Sequence, residues 1–240
     1  MLLLSHLHRA DVHIWSASLV QPDLQLRSFY DTLSPDELER AGRFHFQRDR
    51  QSFVAARGIL REILAAYLAV ESGSVAFTYG RHGKPALAER HAKSDVCFNL
   101  SHSADVVAVA LARGRTVGVD IERVKPFAEV ADVPPSIFSD RELAEFRTLT
   151  PLQQQSSFFE AWTRKEAFVK ATGLGFSTSV KEVEVTCGPS LPVRLVSLHG
   201  DSDSAAHWTL RDVPLATGFK AAVATPGPVR HVVVGGWSER

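Results

Sequence analysis

The chain has 240 residues, 45% hydrophobic and 22% charged, with 27 basic and 27 acidic side chains. That is the composition of an ordinary globular protein, with apolar material for one large core or two modest ones. A formal charge of zero argues against a general nucleic-acid binder, which needs a basic excess, but leaves room for a local basic pocket.

Met1 to Leu4 is apolar but yields at once to Ser5, His6, His8 and Arg9, too short a run for a signal peptide. No stretch approaches the roughly 20 apolar residues of a membrane span. Cys97 and Cys187 lie far apart, match no metal spacing and read as free thiols of a reducing compartment. The expectation is a cytoplasmic protein without membrane or nucleic-acid partners.

Residues 12–19 read as a first strand. Ser34-Pro35-Asp36-Glu37 reads as a helix start, with Ser as N-cap, Pro at the first helical position and acids in the first turn. A helix follows from about Asp49 to Leu68, with Phe53, Ala56, Leu60, Ile63, Leu64 and Tyr67 on one side. Gly80 to Lys84 is a loop closed by Pro85. Val96 to Leu100 is a short strand ending in Ser101-His102-Ser103. Asp105 to Ala112 is nearly all apolar, a strand buried on both faces.

Arg113-Gly114-Arg115 is expected to turn that strand back into Thr116–Glu122 as a hairpin. Antiparallel register would then set Ala108 opposite Asp120 and Val106 opposite Glu122. The carboxylates would return to the rim where Ser101 and His102 enter. A loop from Lys125 to Pro135 follows, then a capping-box spacing from Ser139 to Glu142. A helix from about Gln154 to Thr172 stops at Gly173. Strands follow near 181–187, 192–198, 207–213, 219–225 and 230–235. Each half reads as strand, helix, then several strands, and Asp105–Ala112 resembles Phe219–Thr225 in its Ala/Val content. A weak internal duplication is expected, jointed near residues 113–125.

Val117, Val119 and Ile121 alternate with Gly118, Asp120 and Glu122, so one strand face is aliphatic and the other carries two carboxylates roughly 7 Å apart. Like charges at that spacing call for a cation between them, and an oxygen-liking ion such as Mg²⁺ suits them. A solvated strand end explains them equally well. Glu166 and Lys170 share a helix face and form either a surface ion pair or a third carboxylate with a companion cation. Gly83-Lys84-Pro85 presents a lysine on a stiff turn. Ser101-His102-Ser103 offers either a phosphate cradle or a capped turn, and lacks the flanking glycines of a serine-hydrolase elbow. Arg40, Arg43, Arg48, Arg50, Arg57 and Arg61 form a local basic cluster, in which Arg57 sits among small and apolar neighbours and suits bidentate phosphate contact.

Gly83-Lys84-Pro85, Phe98 to Ser103, Gly118 to Glu122, Phe138-Ser139 with Glu142, and Trp162 with Lys165, Glu166 and Lys170 occur together in this order. The combination resembles the 4′-phosphopantetheinyl transferases of the surfactin type, over residues from about 33 to 225. The resemblance implies an α+β fold of two similar halves related by pseudo-twofold symmetry. Each half would be a helix packed on a mostly antiparallel sheet, with the active cleft between them. Residues 1–115 would carry the coenzyme 3′-phosphate contacts, and residues 116–240 the metal site and catalytic helix, packed as one unit.

The implied reaction moves the phosphopantetheine arm of coenzyme A onto a serine of an apo acyl or peptidyl carrier protein, releasing adenosine 3′,5′-bisphosphate. Carried over by position, Asp120, Glu122 and Glu166 would ligate Mg²⁺, or Mn²⁺ in its place. Glu166, a metal-bound water or Glu142 would remove the serine proton, and Lys170 would stabilise the leaving group. Arg40, Arg57, Lys84, Ser101, His102, Lys165 and Lys170 would hold the coenzyme. The chain departs from surfactin-type relatives at Glu37, where they can have lysine, and at Phe53, where they can have threonine. It would act as a monomer. The competing readings are a Mg²⁺-dependent phosphodiester hydrolase acting on a nucleotide, and a scaffold without catalysis.

Overall fold

The computed structural model describes residues 6–80, 83–173, 179–189 and 191–237. The apolar run at Met1–Leu4 and residues 81–82 of the expected 80–84 loop lie outside the described residues. The chain begins with β1 (Asp11–Ser18), α1 (Asp23–Thr32), α2 (Pro35–Gly42), α3 (Gln47–Leu68), β2 (Phe77–Tyr79), β3 (Pro85–Leu87), β4 (Val96–Ser103) and β5 (Val106–Arg113). It continues with β6 (Gly118–Arg123), α4 (Pro134–Ile137), α5 (Asp140–Arg147), α6 (Pro151–Thr172), β7 (Val183–Val185) and β8 (Leu195–Leu198). The last elements are α7 (Ser202–Ala206), β9 (Trp208–Asp212), β10 (Phe219–Pro226) and β11 (His231–Gly236). The fold mixes helix and sheet, as expected.

The two main sheets repeat one topology. The orders β1-β5-β4 and β6-β10-β9 are both antiparallel, and in each the Ala/Val-rich strand is central. A helix of 22 residues accompanies each sheet, α3 with the first and α6 with the second. The last strand breaks the parallel between the halves. β11 returns to the first sheet and pairs in parallel with β1, so a cut at residue 115 does not separate the two sheets.

Side-chain alternation along the strands builds the layers. In β5, Val107, Val109 and Leu111 join Ile59, Leu60 and Ile63 of α3 in one core. Ala108, Ala110 and Ala112 point the other way and meet Val119, Ile121, Ala221 and Val223 of the second sheet. Ala222 and Ala224 face α6 with Phe168 and Ala171. The order of layers is therefore α3, first sheet, second sheet, α6.

The expected hairpin between β5 and β6 does not form. Both edges of β5 are occupied, by β1 and β4, so Ala108 lies opposite Ser16 and Ser101 rather than Asp120. β6 pairs instead with β10, which puts Asp120 opposite Ala222 and Glu122 opposite Lys220. A strand buried at the centre of a sheet has no edge left for its sequence neighbour. β4 also runs on through Ser103 instead of ending before Ser101. α1 is a helix that periodicity did not reveal. It has no side-chain cap and is held by the buried Phe29. α6 begins earlier than expected because Thr150 and Gln153 form a capping box around Pro151. It stops at Gly173 in the left-handed conformation, as expected. Among the described residues no helix is long and apolar enough to cross a membrane.

Candidate active site

Gly118 lets α6 lie directly on β6. A Cβ there would stand 2.0 Å from Ala167 O and 2.4 Å from Ala171 N. Immediately before each of those two contact residues, one turn apart on α6, stand Glu166 and Lys170. β6 carries Asp120 two residues on from Gly118, and Glu122 two further. β4, an edge strand of the first sheet, faces them with Asn99, Ser101 and Ser103.

These residues are joined by side-chain bridges rather than a backbone ladder. Val119 N–H donates to Asn99 Oδ1 at 2.9 Å. Ser101 Oγ donates to Asp120 Oδ1 at 2.9 Å, and Lys170 Nζ donates to the same oxygen at 2.5 Å and to Ser101 Oγ at 2.8 Å. Ser103 Oγ donates to Glu122 Oε2 at 2.6 Å and accepts from Arg123 N–H at 3.1 Å. The carboxylates thus do meet the serine segment, by a route other than the expected hairpin. The sequence reading set Ser103 in a candidate phosphate cradle rather than against Glu122, and gave Asn99 no role of its own. The available signal was that they repeat the spacing of Ser101 at two-residue intervals.

Asp120 is 2% exposed. Burial pushes its carboxyl above the ordinary carboxylate range, while Lys170 and the Ser101 hydroxyl pull it back. The Glu166 carboxyl is also raised, by burial first and then by the negative charge of Asp120. Asp120 Oδ2 and Glu166 Oε1 are buried without a hydrogen-bond partner. Each such atom costs about 1–3 kcal/mol, so the pair calls for a cation or a proton. Among the described residues no three acidic, histidine or cysteine side chains are gathered as a ready-made metal site, and Lys170 stands as the cation at Asp120. The donors fit a hard divalent ion all the same. Every one is a carboxylate oxygen, and two lack partners, a set suited to Mg²⁺ rather than to a thiophilic metal.

His102 stands at the rim. Desolvation and then the Lys170 ammonium lower its pKa, against a smaller opposing pull from Glu122. Lys84 donates through Nζ to the carbonyl of Lys170 near the end of α6. Its partial burial lowers the ammonium pKa. It opens on a cavity of about 810 Å³ whose walls include Leu87, Cys97, Phe98, Val117 and Gly173.

The structure engages Glu142, Lys165 and Arg57, expected to meet substrate, in buried ion pairs. Glu142 and Lys165 are fully buried and paired at 2.7 Å. Glu142 also accepts from Ser139 N–H and Val185 N–H, and Lys165 donates to the carbonyls of Val180 and Val183. Both carboxylate oxygens and the ammonium are used up inside the fold.

The first half repeats this lock. Glu37, at the same position of the Ser34 capping box, takes Arg57 and Arg61 from α3, and Arg61 donates to the carbonyls of Ser72 and Val75. Burial opposes the Glu37 charge, but Arg57, the Ser34 N–H and Arg61 hold its pKa below the ordinary value. Arg57 also donates to Tyr79 Oη at 2.9 Å and lies over the Phe77 ring. The departure at Glu37 therefore engages the arginine expected to hold phosphate. At the other departure, the Phe53 ring lies 5.4 Å from the guanidinium carbon of the exposed Arg40.

The family models and the related sequences agree on one family. A model of the 4′-phosphopantetheinyl transferase superfamily matches residues 116–224, and a model of the 4′-phosphopantetheinyl transferase N-terminal region matches residues 15–113. The chain is 41% identical over 217 residues to the 4′-phosphopantetheinyl transferase HetI of Nostoc sp., covering 90% of this chain and 88% of that protein. It is 24% identical to the 4′-phosphopantetheinyl transferase Sfp of Bacillus subtilis, covering 83% of this chain and 85% of the relative. Among solved structures, an ACPS–CoA complex of Chronobacterium ammoniagenes overlays with a TM-score of 0.36 at 22% identity, covering 48% of this chain and 98% of that one.

Proposed function

This chain belongs to the 4′-phosphopantetheinyl transferase superfamily, and from that premise we propose how its residues carry the reaction. It is an enzyme that transfers the 4′-phosphopantetheine group of coenzyme A to a serine of a carrier protein. The serine oxygen displaces adenosine 3′,5′-bisphosphate from the pantetheine-bearing phosphorus. A proton must leave the serine, and negative charge must be held on the departing phosphate.

The observation that carries the assignment is the Asp120–Lys170 pair, with the orphaned oxygens of Asp120 and Glu166 beside it. Asp120, Glu122 and Glu166 would hold Mg²⁺, or Mn²⁺ in its place. When bound, the ion supplies a Lewis acid to the pyrophosphate. Lys170 offers its ammonium to the leaving phosphate. Glu166 takes the serine proton, because one of its buried oxygens has no partner in the fold. Glu142 serves as a strut, since both its oxygens are engaged.

Lys84, Ser101 and His102 hold the 3′-phosphate end of the coenzyme, with the exposed Arg40 adding charge there. Arg57 and Lys165 support the fold around them. We read the two helix-on-sheet units as halves related by a pseudo-twofold axis, with the coenzyme in the cleft between them. They divide near residues 115 and 116 apart from the return of β11. The repeated topology and the repeated buried glutamate support that reading. The acceptor is an acyl or peptidyl carrier protein. The enzyme works in the cytoplasm as a monomer, since one chain carries both halves.

Incubation with coenzyme A, Mg²⁺ and an apo carrier protein tests this. The expected result is a mass gain of one phosphopantetheine on the carrier. Cleavage of coenzyme A without carrier labelling would replace transfer by hydrolysis, and no reaction would leave a scaffold.

A further inference from the structure

We propose that Ser103 is a positioning residue, holding the Glu122 carboxylate beside Asp120 through a hydrogen bond while its own oxygen is anchored by a backbone N–H. The inference rests on the metal-holding set proposed above. A serine hydroxyl has one proton to give. At Ser103 the oxygen accepts from Arg123 N–H at 3.1 Å, and the proton goes to Glu122 Oε2 at 2.6 Å, since a carboxylate can only accept. Ser101 repeats the device two residues earlier. There Lys170 Nζ fills the acceptor side at 2.8 Å, and the proton goes to Asp120 Oδ1 at 2.9 Å.

The spacing explains why two serines can serve two carboxylates. Positions 101 and 103 share the face of β4 turned to the second sheet, and positions 120 and 122 share the α6 face of β6, an edge strand whose free side the serines reach. Asn99, two residues further back, accepts from Val119 N–H and so fixes the register of one strand against the other. Among the described residues, Ser103 is the hydrogen-bond donor that reaches the Glu122 carboxylate. Glu122 is only half-buried, so packing alone leaves its side chain free to swing. Loss of a partner of this kind weakens metal holding by about 10–100-fold.

The test is a Mn²⁺ titration of the whole chain, without coenzyme or carrier, reading free Mn²⁺ by its electron paramagnetic resonance signal. Ser103→Ala is expected to raise the dissociation constant about 10-fold or more. Ser103→Thr keeps the hydroxyl and is expected to bind as the parent does, and all three proteins should melt alike without metal. The Mg²⁺ concentration for half-maximal transfer should shift in parallel with binding, while the KM for the carrier stays put. A parent that binds Mn²⁺, and loses it on Glu122→Gln but not on Ser103→Ala, overturns the inference alone. Equal weakening by alanine and threonine, with lowered melting, assigns Ser103 a merely structural role and also overturns it. A parent that binds no Mn²⁺ removes the metal set and this inference with it.

Discussion

Lys170 Nζ stands 2.5 Å from Asp120 Oδ1, joining the last turn of α6 to the middle of β6. The carboxylate is almost wholly buried and the ammonium only partly so. The pair thus faces the rim and balances a charge that burial disfavours.

Lys170→Ala is expected to lower kcat more than it raises the KM for coenzyme A, since the ammonium serves the departing phosphate. Asp120→Asn should reduce transfer by at least about 100-fold while the chain still folds. Steady-state kinetics and circular dichroism check both. Lys170→Ala should also change the pH dependence of stability. The Asp120 pKa is already raised, so its ionisation disfavours the folded state. Stability is full below the ordinary value of 3.8 and is lost as pH rises through the raised value. Removing Lys170 lifts that value further, so the variant's melting deficit should be larger at pH 8 than at pH 5.

Glu37 has the opposite sign. Its pKa is depressed, so its contribution is present above the ordinary value of 4.5 and lost as pH falls through the depressed value. Glu37→Gln should be less stable than the parent at neutral pH, by about 3–5 kcal/mol for a broken buried pair. The deficit should shrink in acid. Urea unfolding at pH 7 and pH 4 measures it.

Glu142 and Lys165 are expected to govern stability rather than chemistry. Lys165→Met leaves a buried carboxylate unpaired, and destabilisation of about 3–5 kcal/mol should follow. Adding Glu142→Leu should recover part of that loss. Active-site titration should find a near-parent kcat per folded molecule in the double variant. Loss of the acidic limb of the pH–rate profile on Glu142→Gln alone would instead make that residue the base.

Gly118→Ala is expected to push α6 off β6, because the new methyl would meet the carbonyl of Ala167 and the N–H of Ala171. Overpacking of this kind costs about 1–3 kcal/mol. It should also separate Asp120 from Lys170. Melting temperature and kcat should therefore fall together, whereas Ser101→Ala should lower activity with less change in melting.

Local pattern alone determined much of this protein. The alternation of Val117, Val119 and Ile121 with Asp120 and Glu122 announced a two-faced strand, and Val119 and Ile121 are wholly buried as that pattern requires. Ser139 with Glu142 announced a capping box, and Gly173 a helix end, because those signals act within a single turn. The likeness of Asp105–Ala112 to Phe219–Thr225 marked the central strands of both sheets.

Tertiary structure alone decided which strand edges meet and which charges are sealed. The segment after Arg113 looked like the return arm of a hairpin, but pairing depends on distant chain competing for the same edge, and β1 and β4 had taken both edges of β5. Lys165 and Lys170 have the same chemistry five residues apart on one helix. One faces the α5 side and is locked to Glu142, and the other faces β6 and the rim. The helix period separates the two directions, but only the packing of neighbouring elements determines which direction is interior.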